Sequence, residues 1–418
     1  MRIKIDEGIH LNVVPSKQFK TTSISFQFME PLRREAVGAR TLLTSLLETS
    51  SADYPEANLL AAKLEDMYGA SFGIGVSRAG RVHRVGANIR VLADSYTDRP
   101  LLPEALNFMR AVLLRPKLTD GQFDAETFTR ERDNLHTYLD SMTDDRGTQA
   151  SLGLQRAYFD DAAQALPSFG TAADLEQITQ AEMLSVYERM INSNPIEIIV
   201  LGDVDPDACV DLVRMMGLKP RPELDTGVVY DQEVHGGVRV LQESANVQQS
   251  KLNLAYHVAS DEFGPRYYAN AVASELFGGS PLSLLFRNVR EKNSMAYYAS
   301  SSLNLNRHLM MVQTGIDAAN KQRVEELIAE QLAAVAAGRF DDGQFADVKA
   351  GMISDRRAAL DSPQYLSDTA LTAALFPESG LTPAAELEHI KAVTRADVEE
   401  AAAHMQLQAV YFLKGEAK

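Results

Sequence analysis

A chain of 418 residues exceeds one ordinary hydrophobic core and predicts roughly two to four domains. Its 45% hydrophobic and 23% charged content is that of a globular protein, and no apolar run reaches the roughly 18 residues of a membrane span, which excludes a membrane partner. A net charge of −16 leaves no basic stripe for phosphates and excludes nucleic acid, while a single cysteine, Cys209, excludes an intrachain disulfide and a thiolate metal cluster. The acidic balance permits cationic peptides, and Cys209, within an apolar helical pattern, reads as a small core residue.

The opening residues alternate in the manner of strands, over Arg2 to Val14 and Thr21 to Phe28, with no uninterrupted signal-peptide core, so a cytoplasmic location is expected. From Gly38 to Glu48 the pattern becomes helical, with Leu42, Leu43, Leu46 and Leu47 on one side. A second helix is expected over Pro55 to Met67. Alternation returns around Gly69 to Leu92, with a hairpin turn at Ala79-Gly80. Helices fit Leu101–Leu114, Asp120–Met142 and Gln180–Asn192, followed by a buried strand at Ile196 to Leu201 and a helix at Pro206–Met216.

Residues 219–235, with two prolines, a glycine and little periodicity, read as a linker between a first domain, 1–218, and a second, 236–418. After it the order repeats: strands near Val238–Gln242 and Leu252–Val258, a helix near Pro265–Phe277, strands near Tyr297–Leu305 and Leu309–Ile316, then helices to His404 and a last strand at Ala409 to Leu413. The halves also match in letters. Asp120-Gly121-Gln122-Phe123 recurs as Asp342-Gly343-Gln344-Phe345, Leu139–Ser141 as Leu360–Ser362, and Leu175-Glu176-x-Ile178 as Leu387-Glu388-x-Ile390. Three matches in one order indicate duplication of an α+β domain of about 200 residues. Strands in meanders and helices in blocks predict two tandem, mainly antiparallel sheets, each with helices on one face.

Between the third and fourth of these strands and helices of the second half lies FGGSPLSLLFRNVREKNSMAYYASSS, Phe277 to Ser302. Leu282, Leu285, Phe286 and Val289 recur at helical spacing after Gly278-Gly279 and Ser280-Pro281, so Arg290 would end a helix and Tyr297 would open the next strand. On pattern alone, Arg290-Glu291-Lys292 is a solvated helix face and Tyr297 is packing. The stretch nevertheless resembles the second-domain signature of the pitrilysin/insulinase family of zinc peptidases, particularly its mitochondrial-processing-peptidase-like branch. That signature runs from a glycine turn through Ser-x-Leu-Phe and Arg-Glu-Lys to Ala-Tyr, with its arginine and tyrosine seven residues apart, as Arg290 and Tyr297 are.

In that family, His-x-x-Glu-His on the first long helix sets two histidines on one face to hold zinc, with the glutamate placed to deprotonate the metal-bound water. Gly38 and Tyr54-Pro55 bracket the corresponding helix here, and the histidine positions hold Thr41 and Ser45, the general-base position Thr44. The family's further carboxylate ligand aligns with Thr137 or Tyr138. The eight histidines rebuild nothing by spacing: no two lie within a helical turn, and His136 reads as a solvated helical histidine. No metal is therefore expected in this chain.

What the resemblance implies is half of a clamshell, a zinc-free subunit of a heterodimeric peptidase acting on peptides. A homologous partner bearing His-x-x-Glu-His supplies the zinc. Arg290 and Tyr297 act in trans, Tyr297 on the oxyanion and Arg290 on a substrate carbonyl or carboxylate. Related pairs serve bacterial peptide processing. Alone, the chain could pair with itself. The alternative is a non-catalytic peptide binder or scaffold of the same fold; an active homodimeric peptidase is disfavoured because no zinc ligand remains.

Overall fold

The computed structural model describes residues 1–416. Its first half opens with strands β1 (Arg2–Asp6), β2 (Ile9–Pro15), β3 (Thr21–Pro31), β4 (Ser71–Ala79) and β5 (Val82–Leu92). A two-residue pair, β6 (Leu118–Thr119) and β7 (Gln122–Phe123), precedes the long helix Ala125–Asp144, and β8 (Ile196–Gly202) comes last. The second half contributes β9 (Arg239–Ala245), β10 (Ser250–His257), β11 (Tyr298–Asn304), β12 (Leu309–Ile316) and β13 (Gln406–Gly415).

The six-stranded sheet runs β1-β2-β8-β3-β5-β4 and the five-stranded sheet β9-β13-β10-β12-β11. With β1 set aside, these are one order written twice. In each, a single parallel pair, β2 with β8 and β9 with β13, sits within an otherwise antiparallel sheet. The duplication read from a few matching letters is thus present in the hydrogen-bonding pattern itself.

Alternation along the strands divides each sheet into two faces. In the first, Ile24, Phe26 and Phe28 of β3 and Ile196, Ile198 and Val200 of β8 are buried with Leu42, Leu43, Leu46 and Leu47, the four leucines assigned to one side of the helix Arg34–Thr49. In the second, Leu252, Leu254, Val410 and Phe412 form the equivalent core with Val324, Leu327 and Ile328 of the helix Lys321–Ala336. Cys209 is fully buried, and burial pushes its thiol up to about 11.

The linear division at 219–235 does not follow the compact units. One unit comprises Met1–Asp140, Pro167–Val228 and Leu360–Leu375, the other Ser141–Leu166, Val229–Ala359 and Phe376–Lys418. The halves therefore exchange a helix each. Pro363–Leu375 packs on β8 and β2 of the first sheet, and Arg146–Tyr158 packs on β13, β10 and β9 of the second. Each of these helices lies on the face its sheet turns away from the main helical layer. In the second unit, Ala150, Leu154 and Tyr158 meet Ala255, Ala409, Tyr411 and Leu413, the alternate set of strand residues. The 219–235 segment holds no helix or strand, and its parts are tied down separately: Arg221 N–H donates to Glu7 in the first unit, Tyr230 N–H to Asn306 in the second.

The repeated tetrapeptide takes two conformations. Asp120 and Gly121 are left-handed (φ 52° and 75°) and turn β6 into β7, whereas Asp342 to Phe345 form the first turn of the helix Asp342–Ala359. The capping acid decides. Asp341 Oδ1 accepts from Gly343 N–H (2.7 Å) and Gln344 N–H (3.2 Å), while in the first half Asp124 accepts from Thr127 N–H (2.9 Å), so that helix starts only after the tetrapeptide.

Gly153 marks the tightest point of the exchanged helix, because a Cβ there would lie 2.2–2.7 Å from ring atoms of the fully buried Tyr411. Gly153→Ala should lower stability by about 1–3 kcal/mol through overpacking, read as an earlier urea midpoint of the second unit; an unchanged midpoint would show that the ring has room to move.

Candidate functional site

The helix Arg34–Thr49 carries Thr41, Thr44 and Ser45, the positions at which the resemblance would set a zinc motif, and a buried guanidinium fixes it against the first sheet. Arg40, 2% exposed, donates from Nε to His83 Nδ1 (3.0 Å) and from Nη2 to the carbonyl of Phe28 (3.1 Å), and its Nη1 reaches Asn194 Oδ1 (2.5 Å) and Glu30 Oε2 (3.1 Å). Burial pulls it down to about 10, with Glu30 opposing that shift. Because His83 Nδ1 accepts, its ring proton sits on Nε2, which donates to the carbonyl of Ser168 (2.8 Å). Burial first, then the charge of Arg40, holds His83 neutral with a pKa of about 3.

Thr41 and Thr44 are buried on this helix and Ser45 is half-buried. The Thr41 hydroxyl donates to the carbonyl of Val37 (3.0 Å) and that of Thr44 to the carbonyl of Thr41 (2.8 Å). Both are satisfied by the helix that bears them, and neither offers the basic lone pair of an imidazole. Thr137 and Tyr138, aligned with the family's carboxylate, are exposed. The acid of the long helix whose charge is felt beside the motif is Glu131: Glu48, one turn beyond Thr44, is pushed up by burial and then by Glu131. His136 is half-exposed and 3.1 Å from Asp140, as a solvated helical histidine would be.

In the second unit, the Phe277–Ser302 stretch departs from a regular α-helix. Two segments, Glu275–Gly279 and Leu285–Lys292, are π-wound, and a turn separates them. The wider i→i+5 spacing, seen in Asn293 N–H bonding the carbonyl of Asn288 (3.3 Å), moves the apolar stripe. Leu284, Leu285 and Val289 are buried, whereas Leu282, expected in the stripe, is 46% exposed in the turn. Gly278 is needed for close approach, since a Cβ there would lie 2.8 Å from the Ser301 backbone nitrogen. The Ser283 hydroxyl accepts weakly from Phe286 N–H (3.4 Å).

Arg290 lies in the last turn of the second π segment, exposed, with its guanidinium 4.6 Å from the centre of the Phe286 ring. Tyr297 donates its backbone N–H to Gly315 (2.8 Å), and its side chain is 63% exposed. Among the described residues, neither the guanidinium nor the phenol has a hydrogen-bond or ion-pair partner. Arg290 and Tyr297 lie in one unit, and Thr41, Thr44 and Ser45 in the other.

Sequence spacing missed one cluster. His257 and His308, far apart in the chain, both direct a ring nitrogen at Asp231. Pairing of β10 with β12 brings them together, and a helix-centred search for histidine pairs does not register that relation.

A family model described as Peptidase M16 inactive domain matches residues 177–352. A Bacillus subtilis (strain 168) protein named probable inactive metalloprotease YmfF is 27% identical over 426 residues, spanning 98% of this chain and 96% of its own. Among solved structures, a conserved protein from Enterococcus faecalis V583 superposes with a TM-score of 0.96 at 38% identity, covering 100% of this chain and 99% of the other. The peptidase M16 inactive domain from Pseudomonas fluorescens superposes at 0.82 with 17% identity, covering 100% and 98%, a likeness of fold.

The neutral, buried His83 makes a prediction for acid stability. Its folded pKa of about 3 lies below its ordinary 6.5, so the unfolded chain binds the extra proton and stability falls as pH drops from about 6.5 toward 3. Above that window the contribution is fully present. The difference in unfolding free energy between the protein and His83→Gln should therefore change across the window and be flat above it; parallel curves throughout would contradict the neutral assignment.

Proposed function

Because the chain belongs to the M16 peptidase family, the pitrilysin/insulinase family, as an inactive member, we propose that it is the subunit without the catalytic zinc of a two-chain peptidase that processes peptides. In this reading Arg290 and Tyr297 complete the zinc site of a homologous partner. The observation that carries it is the contrast in how the two motifs are satisfied. The hydroxyls of Thr41 and Thr44 are consumed by their own helix, while the guanidinium of Arg290 and the phenol of Tyr297 stand in solvent with their donors unused.

Each residue has a chemical task. Attack by zinc-activated water on a peptide carbonyl builds negative charge on the oxygen, and a donor already in place lowers that barrier. Tyr297 supplies that donor. Arg290, a planar fork that keeps its charge, holds a substrate carbonyl or carboxylate, and its stacking on Phe286 limits the rotamers it must give up on binding. The zinc belongs to the partner, and the substrate is a peptide short or unfolded enough to be enclosed. Among the described residues no helix is long and apolar enough to cross a membrane, which is compatible with a cytoplasmic pair.

The test is cleavage of a quenched fluorescent peptide library by this chain, by a zinc-bearing M16 homologue from the same organism, and by the two together. Only the mixture should cut. Tyr297→Phe in this chain should lower kcat of the mixture about 10²–10³-fold while zinc content and pairing stay as they were. Arg290→Ala should act at least partly through KM. A mixture no faster than the homologue alone, or turnover indifferent to Tyr297→Phe, would leave the non-catalytic binder or scaffold as the function.

A further inference from the structure

We propose that Asp231, His257 and His308 form a binding site for a divalent transition-metal cation of the zinc class, separate from the degenerate motif at Thr41, Thr44 and Ser45. All three residues belong to the second unit. His308 Nδ1 lies 2.6 Å from Asp231 Oδ1 and His257 Nε2 lies 3.2 Å from the same oxygen. The three donor atoms fall within 4.8 Å of one another. The imidazole rings stand nearly perpendicular, 86° apart, with centroids 5.8 Å from each other, so they approach the shared point from different directions.

The backbone holds this geometry from several sides. His257 is the last residue of β10, opposite Leu309 of β12 and Gln406 of β13, and so cannot slip without breaking two ladders. His308 is left-handed (φ 44°, ψ 44°), and its carbonyl accepts from both Val258 N–H (3.0 Å) and the Tyr158 hydroxyl (3.0 Å). The preceding Arg307, buried, bonds Gln164 Oε1 (3.0 Å) and Gln155 Oε1 (2.9 Å). Tyr230 N–H bonds the carbonyl of Asn306 (2.9 Å), which brings Asp231 over the two rings.

Zinc–nitrogen and zinc–oxygen bonds of about 2.0–2.2 Å set tetrahedral ligand atoms about 3.4 Å apart. The His257–Asp231 separation is already close to that value. The His308–Asp231 separation must open by less than about 1 Å, and the Asp231 side chain, 67% exposed, is free to swing outward. The histidines are 8–10% exposed at their side chains, so the cation would sit between a dry side made by imidazoles and a wet side where water completes the coordination. Two imidazoles with one carboxylate select zinc-like and other first-row cations over magnesium and calcium, which take oxygen ligands. One carboxylate charge lowers the cost of holding a dication there.

The experiment uses the full-length chain without a histidine tag, stripped by chelator and titrated with Zn²⁺ by calorimetry and with Co²⁺ by visible absorption. Expected are uptake of one cation per chain and a Co²⁺ spectrum of low coordination number, undisturbed by millimolar Mg²⁺. Asp231→Asn, at an exposed position, and His308→Asn, which suits the left-handed backbone, should each weaken binding more than about tenfold, the smallest loss usually seen even for an outer-shell partner. Circular dichroism and melting of the metal-free variants confirm that they are folded. No uptake by the wild-type chain, equal uptake by folded variants, or displacement of Co²⁺ by Mg²⁺ would overturn the assignment.

Discussion

A guanidinium with no access to solvent is the point on which the first unit turns. Arg40 projects from the motif helix into the space between that helix and the sheet, and it answers acceptors on β3, on β5 and at the residue leading into β8. A charge buried to this depth is tolerable only when every donor finds an acceptor, and removing a partner from such a group typically costs about 3–5 kcal/mol. The motif helix is therefore held in rotation and height by polar geometry, with the leucines beneath it supplying area. Thr41 and Thr44 look in the directions the helix dictates and bond the nearest carbonyls.

The second unit treats its distinctive residues in the opposite way. The chain winds loosely around Gly278, buries Leu285 and Val289, and delivers Arg290, stacked on Phe286, and Tyr297 to the surface with no hydrogen-bond or ion-pair partner among the described residues. The hydroxyls of Thr41 and Thr44 are thus bonded within their own helix, whereas the polar ends of Arg290 and Tyr297 face solvent.

Much of this was legible in the amino-acid order because it is local. The leucine side of the first helix, the β4–β5 hairpin (its turn at Gly80-Arg81, one residue beyond the Ala79-Gly80 expected), the helix Leu101–Leu114 and the run of β8 each follow from periodicity over a few residues. Where the reading failed, the cause lay outside periodicity. Leu282 left the apolar stripe because the chain turns between the two π-wound segments, where the spacing argument assumes one continuous helix. The identical Asp-Gly-Gln-Phe segments took different forms because the capping acid sits before one and after the other. His257 and His308 meet through a strand register, and Asp231 joins them from a segment that has no periodicity at all.

The exchanged helices have a consequence for how the polypeptide is made. The first sheet is complete by Gly202, yet the helix that covers its second face, Pro363–Leu375, is not synthesised until after the strands β9 to β12 of the second unit. Until then the strand residues around Ile199 have no cover from their own half. A nascent chain of this design cannot finish its N-terminal unit before its C-terminal one begins, the reverse of the domain-by-domain order common in tandem proteins. Duplication supplied two similar modules, and the trade of one helix each made them a single unit of biosynthesis.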